Sequence, residues 1–343
     1  TSEAGADLSY DYINRPAYHH ALAMADTEFL RLTLNESLTL GVDPVQLVHA
    51  LQNHDELTYE LVHFTTLYRE LYNYHGEEIT GGDLAETIRQ DLCDRLTGES
   101  APYNQIFTTN GIASTTGTVI AAALGYTRID NLTDEQIRKI RQAHLLLVMF
   151  NALQPGVFSL SGWDLLGMLT IDPDKIAPLL ATGDTRWIHR SPYDLMGFQP
   201  ESHESASGMP KAVSMYGPLP QQLRDPSSFV SQLRRILGLR KRYGIATSSQ
   251  VDVPEVSNKA MLVMVHRLSH PGKHQVTVLN FSADPIVGTI SSGHLSPGSA
   301  VFDMFTELVI GEVDDLHSFQ ITLEGHQGRS LFVAEQSASD STA

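Results

Sequence analysis

Cysteine is almost missing from this sequence. Cys93 stands alone in 343 residues, so no intrachain disulfide forms and no cysteine zinc site can be built. Basic residues are scarce too: 23 Lys+Arg face 40 Asp+Glu, a formal charge of −17. Binding a phosphate backbone depends on Lys and Arg displacing counterions, and a surplus of acid opposes it. Nucleic acid is therefore not an expected partner. No run approaches the ~18 consecutive apolar residues of a membrane span, so no membrane partner is expected either. Thr1 to Asp7 carry neither the basic nor the apolar region of a secretory signal. The Gly-x-x-x-x-Gly-Lys loop that cradles phosphates does not occur, and no cofactor is expected. Of the 15 histidines, His19 and His20 fall on adjacent, divergent helix positions, and no His-x-x-x-His pair is backed by a placed carboxylate. They read as surface or core residues, with no metal. These absences describe a soluble, cytoplasmic protein of a reducing compartment. The chain opens on Thr1 rather than Met, which fits a piece cut from something longer.

What is present is enough for a core: 42% apolar and 18% charged residues lie outside the disordered range. Ala6, Leu8, Tyr10 and Tyr12 alternate with polar residues, a strand period. Pro16 opens a helix predicted over Ala17 to Leu40 and stopped by Gly41. Val45 to Leu51 is a compact apolar strand. Leu57 to Tyr72 then shows helical spacing, Asp83 to Leu96 another helix, and Pro102 to Gly117 a polar loop. Thr133 to Gln136 fits a capping box, starting a helix that ends before Pro155-Gly156. Val157 to Ser161 is a short strand. Asp225-Pro226 predicts the start of a helix whose end, Arg240-Lys241-Arg242, suits the helix dipole.

Past Gly244 the texture changes to short strands parted by Gly, Pro, Ser and Asp. These are Met261 to Leu268, Gln275 to Phe281, Gly288 to Ser292, Ser299 to Phe305, Phe319 to Leu323 and Ser330 to Val333. Such spacing predicts an antiparallel β-sandwich over residues 246–336, with a disordered tail at 337–343. Residues 1–245 alternate strand and helix in about three β-α units, which implies a parallel sheet. Three units are too few to close an eight-stranded barrel. The region is either an unusual small α/β domain or the last part of a (β/α)8 barrel.

In parallel α/β sheets, chemistry sits where strands end. Asn53-His54-Asp55-Glu56 follows the Val45–Leu51 strand directly. A carboxylate beside an imidazole and an amide suits sugar hydroxyls and a cationic transition state. The alternative is that Asp55 or Glu56 caps the next helix. Trp163, after the Val157–Ser161 strand, either stacks on a sugar face or packs under the rim.

Leu51 to Glu56 resembles the Asn-His-Asp motif after the seventh strand of the α-amylase family of glycoside hydrolases. Pro155 to Gly162 is similar to that family's eighth strand. Ser228 to Tyr243 resembles its last barrel helix, and Val278 to Ser282 a strand of its C-terminal β-domain. The run from Asn53 to Phe64, with Asp184 to Arg190 and Asp194 to Gly197, looks most like the trehalose-synthase-like branch, which interconverts maltose and trehalose. The resemblance implies that Asp55 stabilises the transition state and that His54, with Asn53 and Trp163, contacts a disaccharide substrate. Ser161-Gly162-Trp163-Asp164 departs from the family's acidic run after the eighth strand.

A retaining glycosidase needs two carboxyl groups about 5–5.5 Å apart. The family's nucleophile lies in a Gly-x-Arg-x-Asp stretch and its acid/base Glu follows the next strand; neither pattern is found here. The resemblance therefore implies a chain that is the C-terminal part of such an enzyme and requires an N-terminal barrel half as partner. Rival readings are an α-glucosidase or sucrose-type glucosyltransferase on the same scaffold, and a non-catalytic carbohydrate-binding protein. The ~100 residues from His54 to Gly156 exceed ordinary connections, and part of them is expected to form a lid over the site.

Overall fold

Three short strands form the heart of the first region. β1 (Ser9–Tyr10), β2 (Leu47–Ala50) and β3 (Val157–Ser159) lie side by side, all parallel, with β2 in the centre. In the computed structural model, residues 7–270 and 272–334 are described; the expected tail at 337–343 lies outside them. Register places Tyr10 beside Val48 and Val48 beside Val157. Side chains alternate across a sheet, so these three share one face, and that face is open: Tyr10 is 47% and Val157 41% exposed. The next residue of β2, His49, points to the other face and is fully buried. Its ring ties the three strands from behind, with Nδ1 2.9 Å from Asp11 Oδ2 and Nε2 2.9 Å from the Pro155 carbonyl. Beyond β1 and β3 no further strand pairs with this sheet among the described residues.

The helix expected over Ala17 to Leu40 is two helices, Asn14–Met24 and Glu28–Thr39. The break has a tertiary cause. Ala25 turns left-handed (φ 51°), and Thr27 then bonds the β-domain through its amide to Lys259 O (2.7 Å) and its hydroxyl to Met261 O (2.8 Å). Asp26 restarts the helix by accepting from the Glu28 amide at 3.0 Å. Leu57 to Tyr72 is not a helix except for Val62–Thr66. Leu57–Thr58 pairs with Gly111–Ala113, and Leu71–Tyr74 pairs with Glu77–Thr80 across a tight turn with positive φ at His75 and Gly76. The expected polar loop at 102–117 holds the hairpin Gln105–Thr108 with Gly111–Ala113, then helix Thr116–Ala123 behind a Thr115/Thr118 capping box.

The Thr133/Gln136 capping box forms, and helix Asp134–Ala152 follows it. The last helix of this region, Phe229–Arg242, is capped by Ser228, not Asp225. Asp225 instead closes a turn by accepting from the Ser227 amide at 2.8 Å. Arg240 does more than face the helix dipole: its guanidinium donates to the carbonyls of Ala152, Gln154 and Gly156, holding the approach to β3.

The C-terminal region is antiparallel. Six strands run in the order Val309–Glu312, Ala300–Asp303, Gly328–Ala334, Lys273–Asn280, Met261–Arg267, Ser249–Asp252. A second sheet pairs Ile286–Ser291 with Ser318–Leu323. Val263, Val265, Val276, Val278, Ile290, Leu323 and Leu331 from both sheets make one buried cluster. The edge strands Ser249–Asp252 and Val309–Glu312 are additional to those expected. No helix among the described residues is long and apolar enough to cross a membrane.

Candidate functional site

The chain leaves β2 through Leu51, Gln52 and Asn53, all buried. Gln52 fixes this exit in three directions. Its side-chain amide donates to Ser114 O (2.6 Å) and accepts from the Thr116 amide (2.9 Å), while its own carbonyl accepts from the Ser161 hydroxyl (2.7 Å). The ends of β2 and β3 and the start of helix Thr116–Ala123 are thereby joined. The long segment after His54 thus returns to the strand ends, and Phe107 from its hairpin reaches the side chains described next.

Asn53 is 8% exposed. Its side-chain oxygen accepts from the Asp55 amide at 3.0 Å and lies 3.5 Å from Arg15 Nη1, and its amide nitrogen lies 3.4 Å from the Tyr12 hydroxyl. Asn53 shapes the turn more than it offers itself to solvent. His54 is the opposite, with 81% of its side chain exposed and Nε2 3.3 Å from Asp55 Oδ2. The His54 carbonyl lies 3.2 Å from His189 Nε2. Asp55 is one-third exposed, and its Oδ1 accepts from Arg186 Nη1 at 3.2 Å. Glu56 Oε2 lies 3.7 Å from the same nitrogen, and the Glu56 carbonyl accepts from Arg15 Nη2 at 2.9 Å. The next helix begins at Val62 with Leu61 at its N-cap and no side-chain cap. Neither Asp55 nor Glu56 caps it.

Arg186 joins the site from 131 positions downstream, and sequence reasoning assigned it no role. Its Nε and Nη2 donate to Asp184 at 2.8 and 3.2 Å, and its head group lies 4.2 Å over the Phe107 ring. The Asp184 contact, offset in part by desolvation, keeps the guanidinium above its ordinary pKa, and Arg186 in turn holds the Asp184 carboxyl low. The one signal available in the sequence was that Asp184 to Arg190 belongs to a recognisable run. Position 186 lies in a 3-10 turn far from Asp55 along the chain, and periodicity does not predict such contacts.

Trp163 follows β3 and is half-buried, with its indole Nε1 buried and lacking a hydrogen-bond partner. Asp164 is fully buried, with Oδ2 3.3 Å from the Ser161 amide. Burial pushes its carboxyl up to about 7, although Thr116 and the Ser161 amide pull it down. His144 lies behind it, 3.7 Å from Asp164 Oδ1, and burial lowers its imidazole to about 3. His19 is buried with neither ring nitrogen partnered, and His20 faces Asp91 at 3.1 Å. Both are core histidines. No cluster of three or more His, Cys, Asp or Glu side chains suited to a metal occurs among the described residues.

The site thus presents one partly exposed carboxylate with a loose imidazole beside it and an arginine behind it, at the end of the central strand of an open parallel sheet. It can stabilise positive charge and bond hydroxyls. No known family model matches the chain, and no curated protein matches it. Among solved structures, AmyP bound to maltotriose aligns with 98% of this chain and 53% of its own at 12% identity and a TM-score of 0.52. AmyP bound to maltose gives the same coverage and identity with a TM-score of 0.50. The trehalulose synthase MutB from Pseudomonas mesoacidophila MX-45 aligns with 90% of this chain and 47% of its own, at 15% identity and a TM-score of 0.49. The chain spans about half the length of these structures, or less in others that match. Its mixed α/β region and antiparallel β-domain are similar in fold to about half of an α-amylase-family chain.

Proposed function

We propose that this chain is the C-terminal part of a retaining α-glucosyl-transferring enzyme that interconverts maltose and trehalose. Residues 1–245 contribute the last three β-α units of a (β/α)8 barrel, and residues 246–336 its β-domain. The observation that supports this best is the placement of Asp55. Its carboxylate follows the C-terminal end of the central parallel strand by five residues, is one-third exposed with Oδ2 3.3 Å from His54, and serves no helix as a cap. A sugar passing through an oxocarbenium-like state is stabilised by such a charge. The nucleophile and the acid/base come from the β-α units that complete the barrel against β1 and β3. The released glucose turns while the glucosyl ester persists, and water must be kept out during that interval, because hydrolysis competes. The hairpin Gln105–Thr108 with Gly111–Ala113, which brings Phe107 against Arg186, is the part of the long insertion we assign to covering the site.

The test is product analysis with maltose as substrate, on the chain combined with its barrel complement. Trehalose formation supports isomerisation. Glucose alone would replace this reading with an α-glucosidase, and binding without turnover would replace it with a carbohydrate-binding protein.

A further inference from the structure

We infer that Arg186 is the positioning residue for Asp55, holding one carboxylate oxygen so that the other faces a bound sugar; this rests on the functional reading of Asp55 given above. The guanidinium is a rigid planar fork. Asp184 takes its Nε and Nη2 edge, at 2.8 and 3.2 Å, and Phe107 covers it at 4.2 Å. The head group is therefore fixed before it meets Asp55, and Nη1 is the nitrogen that reaches Oδ1. Charge is arranged to match. Asp184 also accepts from Arg190 Nη1 at 3.3 Å, so a second cation balances the anion that orients Arg186. Arg186 keeps its charge for Asp55 and, at 3.7 Å, Glu56.

The backbone is held by the same segment. His189 lies against the His54 carbonyl, and the Thr185 hydroxyl donates to Ile106 O at 3.0 Å. Asn53 fixes the Asp55 amide from the other side. Asp55 is thus restrained at its amide, at the preceding carbonyl and at Oδ1. Among the described residues, the ion-pair partner of Oδ2 is the exposed His54 ring, at 3.3 Å. A carboxylate that must stabilise charge in a transition state gains from being fixed beforehand, because no reorganisation is then needed during the reaction. Lysine cannot replace this arginine, because its ammonium is a single point on a flexible stem and cannot bridge Asp184 and Asp55 as a plane.

Two measurements test the inference. In the chain itself, phenylglyoxal labelling read by mass spectrometry compares Arg186 with the exposed Arg128 and Arg138. Arg186 is expected to react slowly, and faster in Asp55→Asn; equal reactivity of Arg186 in both forms would overturn the contact. In the complete enzyme, Arg186→Ala and Arg186→Lys are each expected to lower kcat by about 10²-fold, the size of a small misplacement of a reacting group, with little change in KM. Millimolar guanidinium should partly rescue Arg186→Ala, while sodium chloride of equal ionic strength should not. If Asp55→Asn abolishes turnover and Arg186→Ala leaves kcat within about twofold, the positioning role is wrong although the functional reading stands. If Asp55→Asn itself turns over normally, the functional reading fails and this inference fails with it.

Discussion

Asp55 carries a carboxylate that no helix needs. Its value is expected in the transition state, so Asp55→Asn should lower kcat far more than it changes KM. Loss of one such electrostatic contact costs ~2.7–4 kcal/mol, or ~10²–10³ in rate. His54→Ala should be milder and should raise KM as well, since a hydroxyl contact exists in the ground state too. Steady-state kinetics on the complete enzyme separates the two patterns. Asp164 makes a prediction about pH. Its carboxyl, pushed up to about 7 from 3.8 by burial, is neutral in the folded chain where the unfolded chain is ionised. Its contribution to stability is full below pH ~4 and is lost as pH rises through 7. Asp164→Asn mimics the neutral acid and should be free of that loss. The stability difference between wild type and Asp164→Asn, read from urea midpoints, should shift in favour of the variant between pH 5 and 8. A pH-independent difference would show that Asp164 is ionised in the fold.

Elements in this chain follow local chemistry where neighbours are local. The Thr133/Gln136 capping box was legible because both partners lie within one turn. Of the expected strands, the alternation around Tyr10 yields only Ser9–Tyr10 and the apolar run to Leu51 only Leu47–Ala50, Val45 and Gln46 lying in a 3-10 turn that Pro44 starts. The break at Ala25 was not, because its cause is Thr27 bonding Lys259 and Met261 more than 230 positions away. The Leu71–Tyr74 hairpin was hidden for a related reason: Leu61, Phe64, Leu67 and Leu71 keep helical spacing, while the left-handed pair His75-Gly76 sets the turn. In the site, Asn53, His54 and Asp55 were readable as a strand-end motif. Arg186, His189 and Phe107 arrive through tertiary contacts that no spacing encodes. Gly156 shows a backbone demand at this scale. Its φ is 87°, and a Cβ there would run into the carbonyl oxygens of Pro44 and Leu47, where the chain enters β2. A compatible Gly→Ala change stabilises by about 0.4–1 kcal/mol, whereas Gly156→Ala is expected to destabilise the chain by more than that amount. A thermal melt that matches wild type would contradict this packing of β3 against β2.

The whole molecule joins an acid-sensitive interior to an open sheet. Burial lowers His19, His144 and His266 to about 3, and His189 and His326 to about 4, from 6.5. The folded chain keeps these rings neutral, so their contribution to stability is present above pH ~6.5 and is lost as pH falls toward 4. Each ring that takes up a proton only on unfolding adds up to ~1.4 kcal/mol per pH unit to that loss. Urea midpoints should therefore drop steeply between pH 6.5 and 5, and a flat profile would contradict the burial of these rings. The open sheet bears on function. Tyr10, Val48 and Val157 form an apolar row across β1, β2 and β3 with both sheet edges unpaired among the described residues, an arrangement that invites further strands. Asp55 is expected to work only once such strands supply a nucleophile. The most direct measurement is maltose conversion by this chain alone, and after mixing with separately expressed β-α units that carry Gly-x-Arg-x-Asp and the following Glu. Expected are no turnover by the chain alone, trehalose on mixing, and no trehalose when the mixed chain carries Asp55→Asn. Robust trehalose formation by the isolated chain, or by the Asp55→Asn mixture, would contradict that expectation.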